Sequence, residues 1–127
     1  MSAIWGMVKE QATIEEMEAA RIQMTKIYEK RCRLDKVANQ MEAEVFFSCG
    51  LQYITQNAKN EQLPLYEKEK QVYLTADCII DNREELCEWL SLCQDRTDGE
   101  ILYRAYLAEG ISFLKRLRGL FAIAIYD

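Results

Sequence analysis

Apolar and polar positions alternate along this chain in a few distinct rhythms. Ala3-Ile4-Trp5-Gly6-Met7-Val8 is a short apolar run close to the first residue and predicts a buried strand, with Gly6 marking a tight approach or a bulge. Thr13-Ile14-Glu15-Glu16 has the form of a capping box, in which hydroxyl and carboxylate satisfy the free amides of a helix start. Met17, Ala20, Met24, Ile27 and Tyr28 then recur at three- and four-residue steps, predicting a long helix with one apolar stripe. The mixed charges from Lys26 to Asp35 form its solvated face, and the methionines are core packing. From Glu44 to Tyr53 aromatic and β-branched residues predict a strand, and the polar stretch Gln56 to Pro64 predicts a surface loop.

The segment from Gln71 to Ala76 is expected to run on into a strand through Cys78-Ile79-Ile80. Asp81 or Asn82 caps a helix whose first turn is acidic and whose buried face is Leu86, Trp89, Leu90 and Cys93. Thr97-Asp98-Gly99-Glu100 repeats the capping-box pattern and opens a helix that stops at Gly110. A short helix, Ile111 to Leu117, leads through Gly119 into the wholly apolar strand Leu120 to Tyr126. No repeat or low-complexity segment interrupts these elements.

Composition narrows the function. The 127 residues suit one domain, and 50% apolar with 29% charged residues is ordinary for a globular chain. A net charge of −5 argues against nucleic acid, which needs a basic face. No apolar run approaches membrane-spanning length, so no membrane partner and a cytoplasmic location are expected. The five cysteines, Cys32, Cys49, Cys78, Cys87 and Cys93, form no C-x-x-C pair and read as reduced, mostly buried thiols. Histidine is absent. That removes every Ser-His-Asp and Cys-His mechanism and leaves no recognisable metal-ligand spacing; neither metal nor cofactor is expected. Burial of residue 3 admits two readings: the first strand anchors the terminus, or it places the terminus inside a site.

Three stretches carry a resemblance, in order. Met1-Ser2-Ala3-Ile4-Trp5-Gly6 resembles the opening of class II glutamine amidotransferases, where Met-Cys-Gly-Ile precedes a hydrophobic residue and Gly. Ala76 to Leu86, reading ADCIIDNREEL, resembles a strand-to-helix segment of the asparagine synthetase type. Asp98-Gly99-Glu100, Arg104-Ala105-Tyr106 and Gly119 to Asp127 resemble the next helix and strand. The resemblance implies an α+β fold of the N-terminal nucleophile hydrolase type: four layers, α-β-β-α, with antiparallel sheets. It also implies that residues 1–127 are a single amidotransferase-like domain, incomplete at its far end and without the synthetase domain.

In such a domain the residue after Met attacks the glutamine amide, and its own α-amino group, with a pKa near 8, serves as base. Ser2 stands at that nucleophile position once Met1 is removed, and a hydroxyl is a weaker nucleophile than the usual thiolate. The family's oxyanion-hole Asn-Gly pair aligns with Asp77-Cys78; a carboxylate there would oppose a developing oxyanion, where a donor is worth ~3 kcal/mol. Gln52 stands for the arginine that holds the substrate carboxylate, losing a bidentate charged contact. Asp98 matches the residue that binds the substrate α-amino group, and it equally suits a helix start. The resemblance therefore implies a glutaminase site that has degenerated, on a fold kept as scaffold or subunit. The alternatives are an active amidohydrolase using Ser2 and a non-enzymatic interaction module. Expected partners are glutamine or a related amide, and a homo-oligomer or a synthetase chain docked where missing strands would leave an exposed edge.

Overall fold

The computed structural model describes residues 2–127. In order the elements are β1 (Ala3–Val8), α1 (Ile14–Arg31), β2 (Lys36–Glu42), β3 (Val45–Leu51), β4 (Leu65–Glu67), β5 (Val72–Ile80), α2 (Arg83–Leu90), α3 (Asp98–Glu109) and β6 (Gly119–Tyr126). Short 3-10 helices occupy Asn57–Asn60 and Gly110–Arg116. The strands form two antiparallel three-stranded sheets, β1-β3-β2 and β4-β5-β6, with β3 and β5 central.

The period-two character of β3 and β5 sorts their side chains between two faces. On β3, Val45, Phe47, Cys49 and Leu51 belong to the buried clusters shared with the second sheet, whereas Phe46 packs with Trp5 and Met17 under α1. On β5, Tyr73 meets Val45 and Phe47, and the Thr75 hydroxyl donates to the Ser48 carbonyl at 3.3 Å. Leu74, Ala76 and Ile80 instead join Leu86, Ile101, Leu102, Ala105, Phe113 and Leu117, the buried side chains of α2, α3 and the segment before β6. The layers thus run helix, sheet, sheet, helices. The α+β class with two antiparallel sheets is what the structure shows.

The capping box of α1 is present in both directions: the Thr13 hydroxyl accepts from Glu16 N–H at 3.2 Å and the Glu16 carboxylate accepts from Thr13 N–H at 3.0 Å. Trp5 stacks on Tyr28 of α1 at 4.7 Å between ring centroids, which fixes β1 against the helix. Gly6 is the tight approach its sequence context suggests, since a Cβ there would lie 2.5 Å from the Phe46 carbonyl oxygen.

Several expectations need correction. The helix ends at Arg31, and β2 follows it, a strand the helical reading of the charged run had hidden. Ile27 is 49% exposed and does not belong to the buried stripe. The segment 56–64 is not simply a surface loop, because Glu61 and Leu63 are buried. Cys93 is exposed, and Cys87 takes its place on the buried face of α2. Asn82 does occupy the cap position of α2, but its side chain bonds the Arg116 carbonyl and the Arg118 N–H, tying α2 to the approach of β6. Thr97 caps α3 by accepting from Glu100 N–H, while the Glu100 carboxylate turns to Arg96 and leaves the box half made. Finally, β6 is apolar without being buried along its length: Leu120 is 78% and Phe121 41% exposed, and the strand is paired on one side only.

Candidate functional site

One end of the two-sheet stack is open, and Ser2 lies in it. The β1–β3 register pairs Ala3 with Gly50, which brings Ser2 to the end of β3. There the Ser2 hydroxyl oxygen accepts a hydrogen bond from the Gln52 N–H at 3.3 Å. Across the gap β5 presents Asp77 and Cys78, held opposite Ala122 and Phe121 of β6. The first residue of α3, Asp98, and the buried Glu61 and Leu63 close the remaining sides. Together they enclose a cavity of about 480 Å³ whose lining includes Ser2, Gln52, Asp77, Cys78 and Asp98, with an apolar wall of Leu120, Phe121 and Ala122. All five side chains singled out in the sequence are therefore brought together, and such a concave, mostly apolar site with a few convergent polar groups is the usual form of a small-molecule pocket.

The individual environments differ from what carrying roles across would suggest. The Gln52 side-chain amide donates to the Arg33 carbonyl at 2.6 Å, so its N–H is occupied by the loop that follows α1. Asp98 forms an ion pair with Arg83, and its second oxygen accepts from Ile80 N–H at 3.3 Å. Arg83 in turn donates to the Arg96 carbonyl at 2.6 Å. This fixes the connection between α2 and α3, so Asp98 has a structural role as well as a place on the cavity wall. Burial pushes the Cys78 thiol well above its ordinary value, and it pushes Cys49, behind the cavity, up to about 12. Both remain protonated, so neither supplies a thiolate.

Glu61 is the site residue that the sequence reading missed. It is 6% exposed, and its carboxylate accepts from the Gly99 N–H and the Gln62 N–H, both at 3.0 Å. Burial raises its pKa; the Gly99, Gln62 and Thr97 hydrogen bonds pull the other way. Gly99 has no side chain because a Cβ there would lie 2.5 Å from both Glu61 Oε1 and Leu63 Cγ. The pairing Glu61 to Gly99 spans two distant segments, and only the Asp-Gly-Glu helix start hinted at it.

Glu61, Asp77 and Asp98 give the lining three carboxylates, and no Lys or Arg is part of it. The Lys36 ammonium donates to the Glu61 backbone carbonyl at 3.1 Å. Among the described residues no group of three or more His, Cys, Asp or Glu is arranged to hold a metal ion, and no helix is long and apolar enough to cross a membrane.

The sequence profile of the family described as glutamine amidotransferase domain matches residues 51–127, more than half of the chain. The chain belongs to that family. The matched stretch contains Gln52, Glu61, Asp77, Cys78 and Asp98, while Ser2 and β1 precede it. No curated protein matches the chain.

Proposed function

We propose that residues 1–127 form a glutamine amidotransferase domain of the asparagine synthetase type, with N-terminal nucleophile hydrolase architecture and Ser2 at the nucleophile position. In this reading the glutaminase site is degenerate and the domain serves, in the cytoplasm, as a scaffold or subunit. The observation that carries the reading is the convergence of Ser2, Gln52, Asp77, Cys78 and Asp98 on one cavity from four separate places in the chain. Their chemistry explains the degeneracy. A hydroxyl replaces a thiolate, Gln52 spends its amide on Arg33, and Asp77 brings negative charge to a site that must stabilise an oxyanion.

Incubation with L-glutamine, followed by ammonia release, tests this directly. The wild-type chain and Ser2→Cys are both expected to release no ammonia above a protein-free blank, because the surroundings are limiting as well as the nucleophile. A gain of about a hundredfold or more on restoring the thiol would sink the degenerate reading. The expected loss of Met1 concerns a residue outside those described; mass spectrometry of the N-terminus reads it.

A second reading, an active amidohydrolase, is favoured by one observation: the Ser2 hydroxyl lies at the cavity and receives the Gln52 N–H. It requires a free Ser2 amine as base and ammonia release that disappears in Ser2→Ala.

The proposal includes a homo-oligomer formed through β6. Its outer edge offers unpaired backbone groups beside exposed Leu120 and Phe121. Sedimentation in dilute solution is expected to give twice the chain mass or more, falling to the chain mass in Leu120→Lys. A compact monomer in the wild type would remove this part.

A further inference from the structure

The charge on the cavity wall is uneven, and that unevenness selects a ligand. Asp98 is matched by Arg83 and the Ile80 N–H. Glu61 is matched by two backbone N–H groups, one of them at the start of α3. Asp77 also lines the cavity, and among the described residues it makes neither an ion pair nor a side-chain hydrogen bond. Its neighbours on the same face of β5, Tyr73 and Thr75, meet the first sheet, so alternation turns Asp77 toward the inter-sheet gap in which Ser2 lies. Beside it, on the paired strand, stands Ala122 of the apolar β6.

A ligand carboxylate entering here would meet carboxylates and, among the described residues, no lining Lys or Arg, in a half-enclosed space where charges interact more strongly than in bulk water. An ammonium would meet Asp77, which no described residue engages. Removal of Met1 would move the terminal ammonium of the chain onto Ser2, at the cavity. With Asp77 beside it, that ammonium leaves the wall no more than neutral.

Resting on the reading of this cavity as the amide-binding site, we propose that it takes a small amide that carries a free ammonium and lacks a carboxylate, with Asp77 as the group that recognises the ammonium. Free glutamine, which carries both charges, is then the poorer ligand. Its carboxamide derivative, L-glutaminamide, has the same side chain and ammonium with the carboxylate neutralised.

The test is a pair of calorimetric titrations of the whole chain at pH 6.5, below the ordinary α-amine value of about 8, with L-glutamine and L-glutaminamide as probes. L-Glutaminamide is expected to bind at least about tenfold more tightly, and raising the salt from about 0.02 M to 0.5 M should shrink that preference severalfold. In Asp77→Asn the ratio should fall to within about threefold, and Asp77→Glu should retain it. The salt arm needs no variant, so a poorly folding Asp77→Asn leaves the proposal open to refutation. Equal or tighter binding of L-glutamine overturns it, as does absence of binding by both probes or a preference that persists in Asp77→Asn. These titrations read charge preference without turnover, so they fail or succeed independently of the ammonia assay that tests the proposed function.

Discussion

Replacing Gly119 with Ala is expected to cost about 3 kcal/mol or more, the largest loss of any single methyl addition in the chain. Two independent effects combine there. The residue sits at φ +139, a conformation that L side chains rarely adopt, and a Cβ would clash with the Ile79 carbonyl oxygen across the β5–β6 ladder. That oxygen is backbone within a central strand, so no side-chain rotation relieves the overlap. Chemical denaturation, read as a shift in midpoint at constant slope, gives the magnitude. Gly110→Ala is the internal comparison: it too has positive φ, at +60, but its Cβ would meet nothing within 4 Å. Its cost should be about 1–3 kcal/mol, the strain of a backbone conformation (φ +60, ψ −150) almost confined to glycine, with no steric overlap added. Similar costs at the two positions would show that backbone conformation, and not the close approach to β5, governs Gly119. The effect bears on the site, because Gly119 delivers Leu120, Phe121 and Ala122 to the cavity wall.

The elements that were legible in the sequence carry their signal within a few residues. Thr13 and Glu16 lie three apart, and both of their cap bonds form. Gly110 ends α3 at positive φ, and the apolar runs of β1, β3 and β6 are strands within a residue or two of their expected ends. What was hidden depends on partners far along the chain. In β2, Val37 and Met41 pack under α1 while Asn39 accepts from Ser48 of β3. Read alone, Lys36 to Glu42 looks like more charged helix surface. The strand β4 has three residues and exists only because β5 pairs with it. The exposure of β6 is a property of its place at a sheet edge, which no apolar pattern reveals. The site divides in the same way. Ser2, Gln52, Asp77, Cys78 and Asp98 were found through resemblance and not through periodicity, and their joint presence on one cavity wall is geometry that needed coordinates. That Gln52 and Asp98 are already engaged by Arg33 and Arg83 was legible in neither.

Glu61 is where the hidden part of the site has its largest energetic consequence. Glu61→Ala should destabilise the chain by about 2–3 kcal/mol, because it leaves the buried Gly99 N–H without an acceptor and opens a void against Leu63. The pH dependence separates this role from an ordinary surface carboxylate. Burial raises the folded-state pKa of Glu61 above its ordinary 4.5, so the folded protein binds the Glu61 proton more tightly than the unfolded chain does. The stability contributed by that proton is fully present below 4.5 and is lost as pH rises through the raised folded value. Glu16, Glu18 and Glu109 behave oppositely. Their hydrogen-bonded carboxylates are held below the usual range, and what they contribute is lost as pH falls. The difference between wild type and Glu61→Gln isolates Glu61, since glutamine imitates the protonated acid and whatever its amide costs against two N–H donors is constant with pH. Relative to wild type, Glu61→Gln should therefore gain stability as pH rises above 4.5 and level off once pH has passed the raised folded value, as read from denaturation midpoints at each pH. A difference that stays flat across that range would mean that the Gly99 and Gln62 hydrogen bonds fully offset the burial of the charge.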